Sequence, residues 1–210
     1  MQSLNKPLNA IVVCGPSGVG KGTLLGRLFR DYPNSFAYSV SHTTRQPRMG
    51  EVNGREYHFT DRSEIIKMRD NNEFLELCDV HGNFYGTSVA AVQDVQKQGK
   101  ICVIEIDVKG AQKLYNRNDD ALNCVYLFIT APKAELRKRI LGRGADDEKM
   151  LQRRLETAEA EFKFLEEHPD FFAATIVNDV LDEAYGRLVD AVNEQLELHN
   201  MNTLSSGVKK

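Results

Sequence analysis

A short apolar run near the start of the chain leads directly into a glycine-rich loop and then into a helical pattern. Residues 9–14 (NAIVVC) predict a buried parallel strand, and Thr23–Phe29 (TLLGRLF) predicts a helix. Between them lies Gly15-Pro16-Ser17-Gly18-Val19-Gly20-Lys21. Glycines let the backbone wrap an anion with its N–H groups pointing inward, the helix adds the positive end of its dipole, and lysine supplies a point charge. This order of strand, loop and helix predicts a nucleotide phosphate site.

The residues after Lys21 depart from the usual form of such a loop. Gly22 stands where a hydroxyl residue often ligates Mg²⁺, and Thr23 comes next. The metal is therefore expected to be held mostly by phosphates and water, with Thr23 helping through water. The same Lys-Gly-Thr order resembles that of adenylate kinases, so the loop by itself predicts a nucleotide phosphate site without specifying the kinase. The residues expected to bind ATP here are Gly15, Pro16, Ser17, Gly18, Val19, Gly20, Lys21, Gly22 and Thr23.

The rest of the chain alternates apolar runs with helical segments, which predicts an α/β fold with a parallel sheet flanked by helices. Further strands are expected at Ile101–Ile106, Cys124–Ile129 and Ala174–Val177, with helices such as Val89–Lys97 and Lys133–Leu141. We assign the core to about 8–41, 89–132 and 168–200. The polar, turn-rich stretch 42–88 predicts an inserted subdomain with short strands, and the charged stretch 133–167 predicts a helical lid outside the core. Residues 203–210 are expected to be a disordered tail.

Composition narrows the choice of partner and compartment. The chain has 27 basic and 30 acidic residues, a net charge of -3, which predicts no general attraction to nucleic acid or to an anionic membrane. Its four cysteines (Cys14, Cys78, Cys102 and Cys124) have no zinc-binding spacing and are expected to be buried free thiols. The sequence has neither the apolar stretch of a secretory signal nor a run long enough to span a membrane. A cytoplasmic location is therefore expected.

Three motifs in the inserted stretch carry a family resemblance. Ser41-His42-Thr43-Thr44-Arg45-Gln46-Pro47-Arg48 continues into Gly50-Glu51 and Tyr57, and is followed by Glu73-Phe74-Leu75-Glu76 and then Tyr85-Gly86-Thr87. In this order and spacing the chain resembles guanylate kinases from about residue 8 to residue 198. The resemblance implies ATP-dependent phosphorylation of GMP, and with it dGMP, to the diphosphate in purine nucleotide metabolism. It also implies Mg²⁺ as the cofactor that accompanies ATP.

The resemblance assigns a GMP pocket residue by residue. Arg45, Arg48, Tyr57 and Tyr85 would hold the GMP phosphate, since a dianion suits guanidinium forks and phenolic donors. Glu76 would accept the neighbouring N–H donors of guanine. The remaining members that match the family pattern are Ser41 and Thr87 at the base, and Glu105 and Asp107 at the end of a strand, with Asp107 also acting on Mg²⁺ through water.

The charged stretch 133–167 contains the arginines that match the family's lid. Arg139 and Arg143 are four residues apart and share a helical face, and Arg154 lies on the next helix. Together with Lys21 and Arg48 they are the expected catalytic residues, because phosphoryl transfer depends on alignment and on stabilised phosphate charge. Asn178 resembles the family's position near the ATP adenine. A monomer or weak homodimer is expected.

Two enzyme classes and one binding module compete with this interpretation. A kinase for another nucleoside monophosphate is disfavoured by Glu76. A scaffold module of guanylate-kinase-like form would lack the working ATP loop, which is intact here. A GTPase is disfavoured because the chain contains no NKxD motif to specify the base.

The assigned roles predict a separation of turnover from stability. Lys21→Ala and Arg143→Ala are each expected to lower turnover far more than they lower the free energy of unfolding, because both charges act on phosphate rather than on packing. A coupled assay for ADP measures the first quantity and urea unfolding the second. Wild-type rates in either variant would contradict the assigned role.

Overall fold

The structure of the chain, a computed structural model, describes residues 6–80, 82–117, 122–142 and 148–205. Arg143 and most of the predicted tail, 206–210, lie outside these ranges. Residues 203–205 have neither helical nor strand structure. The predicted α/β class is confirmed: a parallel central sheet is flanked by helices, and a second sheet stands beside it.

The strands and helices follow one another along the whole described chain. In chain order the strands are β1 (Ala10–Cys14), β2 (Phe36–Tyr38), β3 (His42–Thr43), β4 (His58–Phe59), β5 (Phe74–Val80), β6 (Asn83–Ser88), β7 (Ile101–Glu105), β8 (Cys124–Thr130) and β9 (Ala174–Val177). The helices are α1 (Lys21–Asp31), α2 (Arg62–Asp70), α3 (Val89–Lys97), α4 (Val108–Arg117), α5 (Lys133–Leu141), α6 (Glu148–Glu167) and α7 (Leu181–Leu198), with a 3₁₀ turn at Pro169–Phe171.

The central sheet has the strand order β2-β7-β1-β8-β9, and every pairing in it is parallel. Strand β1 is central, because Ala10 pairs with Cys102 on one side and Cys124 on the other. All five of its residues are buried, as expected of a parallel strand covered on both faces. The carboxyl ends of β1 and β7 therefore meet at one edge of the sheet, where the glycine-rich loop begins.

The second sheet is built entirely from the stretch 42–88, in the order β4-β3-β6-β5. Its longest pairing is the antiparallel one between β5 and β6. Two basic residues of α4 fasten this sheet to the core: Lys113 Nζ donates to the Leu77 carbonyl at 2.5 Å, and Arg117 donates to the Phe74 carbonyl at 2.8 Å. The sheet is thereby held beside the carboxyl edge of β7.

The expectation that residues 133–167 stay outside the core is wrong for both helices of that stretch. Leu136 and Ile140 of α5, and Ala158 and Phe162 of α6, are buried members of the main hydrophobic cluster. The apolar residues recur at spacings of four, so each helix hides one stripe while its other faces remain charged. The abundance of charge in the sequence concealed this stripe.

All four cysteines are buried and free, as predicted. Burial raises the pKa of each thiol, because a thiolate loses its hydration in the protein interior. No helix within the described ranges has the length and apolar character required to cross a bilayer.

The packing around Gly15 generates a stability prediction. A Cβ at this position would lie 2.0 Å from the Ile129 carbonyl oxygen of β8, and the φ of +138° is rarely adopted by other residues. Gly15→Ala is therefore expected to lower the free energy of unfolding by about 3 kcal/mol or more. Gly26→Ala is the matched control, since its Cβ meets nothing within 4 Å and alanine favours the interior of α1 by about 0.5–1 kcal/mol. Urea unfolding that finds similar changes for both variants would contradict this.

Candidate active site

One cavity of about 530 Å³ lies between the glycine-rich loop and the second sheet. It brings together most residues that the sequence singled out. These are Gly15, Pro16, Ser17, Gly18, Gly20, Lys21, Gly22 and Thr23 of the loop, Ser41, Arg45, Arg48, Tyr57, Glu76 and Tyr85 around the second sheet, Glu105 and Asp107 after β7, and Arg154 of α6. Val19, Thr87, Arg139 and Asn178 do not line it.

The loop presents the start of α1 to the cavity. Gly20 precedes the helix and has no side chain to cap it, so the first helical N–H groups are left for an anion. Lys21 curls back over the loop, where Nζ donates to the Gly15 carbonyl at 2.5 Å and to the Pro16 carbonyl at 3.4 Å. Its ammonium also lies 3.9 Å from Glu105 Oε1. The ammonium is thus fixed within the cavity wall and not extended into solvent.

Asn178 and Arg139 hold the loop from behind. Asn178 is buried, and its Nδ2 donates to the Val19 carbonyl at 2.7 Å. The Arg139 guanidinium donates to the same carbonyl at 3.2 Å and to the Asn178 carbonyl at 3.1 Å, and pairs with Glu135 at 3.1 Å. Gly20 is required here, because a Cβ would lie 2.4 Å from Asn178 Nδ2. These contacts fix the loop's conformation against β9 and α5.

Arg45 and Arg48 of the inserted segment share a carboxylate to which the sequence analysis gave no role. Arg45 forms a bidentate pair with Glu51 at 2.9 and 3.0 Å, and the Arg48 backbone N–H donates to Glu51 at 2.7 Å. The hydrogen bond with Arg45 lowers the pKa of Glu51. Glu51 therefore keeps Arg45 oriented, while the exposed Arg48 side chain remains at the cavity wall.

An aromatic pair lies beside Arg45 in the cavity wall. The rings of Tyr57 and Tyr85 meet edge to face with centroids 5.9 Å apart, and the Arg45 guanidinium lies 5.3 Å from the Tyr57 ring centre. Burial, followed by the charge of Glu105, raises the pKa of Tyr57 to about 12. The phenol therefore stays protonated at neutral pH and is able to donate a hydrogen bond.

Glu76 is a buried carboxylate at the far end of the cavity. Its side chain is 5% exposed, and its Oε1 accepts a hydrogen bond from the Thr87 N–H at 2.8 Å. Burial raises the pKa of Glu76 to about 7, with the Asp107 charge adding to the effect. Thr87 itself is fully buried, and its hydroxyl has no hydrogen-bond partner among the described residues. The strand pairing between β5 and β6 places both residues at one point of the sheet.

Glu105 and Asp107 stand at the carboxyl end of β7, between the loop and the second sheet. The Tyr38 hydroxyl donates a hydrogen bond to Glu105 Oε2 at 3.5 Å, whereas Lys21 lies near the other oxygen, Oε1. Asp107 Oδ1 accepts from the Gly110 N–H at 2.7 Å and so caps the start of α4. Both carboxylates are half-buried, and these partners hold them in the cavity wall.

Helix α6 adds three side chains to the cavity wall: Arg154, Thr157 and Glu161. Only Arg154 was predicted. Glu161 is buried, and burial raises its pKa to about 7 against the opposing effect of the Lys21 charge. Its spacing of seven residues from Arg154 was a signal in the sequence, since the two positions share a helical face.

A parallel sheet with a phosphate-binding loop faces a second sheet that carries arginines and a buried carboxylate, an architecture typical of the P-loop class. The family model for guanylate kinase matches residues 8–195. The chain belongs to the guanylate kinase family.

Named relatives and a solved structure agree with this membership. The chain is 45% identical over 179 residues to guanylate kinase of Oleidesulfovibrio alaskensis, covering 85% of this chain and 83% of that protein. It is 38% identical over 188 residues to human guanylate kinase, covering 89% and 93%. The crystal structure of guanylate kinase from Anaplasma phagocytophilum superimposes with a TM-score of 0.67 at 30% identity, over 92% of this chain and 89% of that one.

Some relatives are much longer than the matching region. Guanylate kinase 1 of rice is 45% identical over 179 residues, which cover 85% of this chain and 46% of the rice protein. The Arabidopsis thaliana relative is similarly covered to 45%. The chain thus spans about half the length of these two relatives.

The raised pKa of Glu76 predicts a pH-dependent gain in stability on its removal. A folded-state pKa of about 7 lies above the unfolded value near 4.5, so the folded protein is destabilised as pH rises through this window. Glu76→Gln is expected to raise the free energy of unfolding by about 1–3 kcal/mol at pH 8 and by much less near pH 4.5. Urea unfolding at both pH values measures this. The exposed Glu166→Gln is the control, and an equal effect of Glu76→Gln at both pH values would be the contradictory outcome.

Proposed function

We propose that this chain transfers the terminal phosphate of ATP to GMP, giving ADP and GDP. The observation that carries the proposal is the single cavity in which the glycine-rich loop faces Arg45, Tyr57 and Glu76. One end of that cavity suits a polyphosphate, and the other suits a monophosphate joined to a base with N–H donors. The same reaction is the one that the family name describes.

The ATP end depends on the loop backbone and on Lys21. The uncapped N-terminus of α1 and the inward ammonium are suited to the outer phosphates of ATP. Asn178 and Arg139 support this site from behind, through the Val19 carbonyl, and keep the loop in shape before a nucleotide arrives. We therefore propose that Asn178 acts on ATP by positioning the loop as well as by lying near the adenine.

The GMP end uses fixed donors for the phosphate and one acceptor for the base. Arg45, oriented by Glu51, and the two tyrosines supply donors for a dianion, with Arg48 beside them. Glu76 accepts the neighbouring guanine N–H groups, and this acceptor requires its charged form. Because the pKa of Glu76 is about 7, binding of GMP itself is expected to favour ionisation.

Transfer requires the donor and acceptor phosphates to approach each other while water is kept out. Arg154 already lines the cavity, and Arg143 is assigned by its match to the family's lid. The Arg139 guanidinium donates to the Val19 and Asn178 carbonyls, so its approach to the phosphoryl group would accompany a movement of α5. A general base is unnecessary, because the GMP phosphate is already a nucleophile near neutral pH.

The residues near the loop fit a magnesium ion that arrives with ATP. Mg²⁺ prefers oxygen ligands and retains several waters, and Thr23 and Asp107 offer a hydroxyl and a carboxylate beside the phosphate site. Across the described part of the chain, no three His, Cys, Asp or Glu side chains could hold a metal by themselves. We propose that these two residues contact the hydrated ion, which neutralises phosphate charge.

Three further assignments go with the proposed reaction: the cellular location, the oligomeric state and the class of partner. The buried free thiols are typical of a reducing compartment and support a cytoplasmic location. A monomer or weak homodimer is proposed as the oligomeric state. The net charge of -3 supports small nucleotides as partners, in preference to nucleic acid or a membrane.

A panel of acceptors tests the proposed function. With ATP and Mg²⁺, the initial rate with GMP is expected to exceed those with AMP, UMP and CMP by about a hundredfold or more, because only guanine presents paired N–H donors to Glu76. Glu76→Gln is expected to lower kcat/KM for GMP by about a hundredfold, whereas Glu73→Gln, an exposed residue of the same segment, is the matched control.

Comparable rates with all four monophosphates would contradict the assignment of GMP. Failure of the wild-type chain to bind ATP with Mg²⁺ would instead favour a protein-binding module of similar fold.

A further inference from the structure

Among the described side chains of α6, Glu161 is the acidic one that lines the cavity. Arg154, Thr157 and Glu161 follow one another on a single face of this helix, at spacings of three and four residues. Arg154 and Thr157 are half-buried, whereas Glu161 is only 7% exposed. The helix therefore carries a carboxylate into the interior of the cavity wall.

One oxygen of this carboxylate lacks a partner. Glu161 Oε2 is shielded from solvent and accepts no hydrogen bond from any described residue. Burial raises the pKa of this carboxyl, and the Lys21 ammonium and the Val108 backbone N–H only partly oppose that effect. A buried, unsatisfied carboxylate oxygen is costly, so its position beside the nucleotide site calls for a ligand that supplies donors or positive charge.

The neighbouring carboxylates are already engaged. Glu105 pairs with Lys21 and accepts from Tyr38, and Asp107 caps α4 through Gly110. The charges of these two residues, of Glu161 and of Lys21 all act on the buried thiol of Cys14, the last residue of β1.

These four groups thus include an excess of carboxylates over the one ammonium. Such an excess repels a polyphosphate unless a cation enters with it.

We propose that Glu161 binds the hydrated Mg²⁺ that accompanies ATP, with Oε2 accepting hydrogen bonds from the water ligands of the ion. This inference rests on the proposed function. A hydrated divalent ion supplies both the donors that Oε2 lacks and positive charge beside the carboxylates. Contact through water is consistent with the lack of three metal-holding side chains among the described residues. Glu161 thereby makes ATP binding depend on Mg²⁺.

Calorimetry with a non-hydrolysable ATP analogue, with and without Mg²⁺, tests the proposed role of Glu161. Glu161→Gln is expected to lower the affinity for the Mg²⁺-loaded analogue by about tenfold or more, while the Mg²⁺-free affinity stays unchanged or rises. Glu161→Asp retains the charge and is expected to recover part of the loss. Glu166→Gln, an exposed residue of the same helix, is the control and is expected to match the wild type in both conditions.

The outcomes separate three explanations. A similar loss for Glu161→Gln with and without Mg²⁺ would mean that Glu161 only shapes the pocket, and would overturn the inference, as would no loss at all. Thermal unfolding of each variant distinguishes lost binding from lost folding, because the neutral glutamine is expected to leave the fold intact. A wild-type chain that binds no analogue under either condition would contradict the proposed function and not the role of Glu161 within it.

Discussion

Two polyanions repel each other, and the arrangement of this cleft is governed by that repulsion. The loop meets it with backbone N–H groups at the start of α1 and with Lys21, which is held by its own loop carbonyls. The second sheet meets it with Arg45 and two tyrosines, and Glu51 orients the arginine before any phosphate arrives. Preorganised donors of this kind do not have to reorganise when charge develops, which is why they are effective in phosphoryl transfer.

The negative side chains of the cleft are as important as the positive ones. A cavity lined only by arginine and lysine would bind any phosphate, so discrimination requires groups that repel the wrong ligand. In the proposed function, Glu76 has this role toward bases that lack paired N–H donors, because its burial makes an unmatched base costly. The proposed role of Glu161 extends this idea, since the carboxylates of Glu105, Asp107 and Glu161 would favour a polyphosphate that brings its own cation.

Much of the fold could be predicted from the sequence because the core is parallel. Its strands are continuous apolar runs, and β9 and α3 begin and end at the predicted residues. By contrast, β2 is only three residues long at the edge of the sheet, where a single paired neighbour leaves little pattern to read. The buried stripes of α5 and α6 were missed since charged residues outnumber apolar ones around them.

The candidate site was likewise only partly predictable from the sequence. Residues in contiguous motifs, such as the loop and the segment from Ser41 to Arg48, could be located because local spacing fixes them. The role of the Val19 carbonyl could not be predicted. Its hydrogen-bond donors, Arg139 and Asn178, reach it only after α5 and β9 have packed. Glu161 was hidden for a similar reason, since a carboxylate on a charged helix resembles a solvated one until the helix is placed.

The most direct measurement of the central claim uses one molecule to fill both ends of the cleft. An adenosine and a guanosine joined through five phosphates, with Mg²⁺, is expected to bind one to one, to displace both ATP and GMP, and to exceed the affinity of either by about a hundredfold or more, because the second contact becomes intramolecular. An affinity no greater than that of ATP, with GMP still binding alongside, would contradict the placement of two nucleotides end to end.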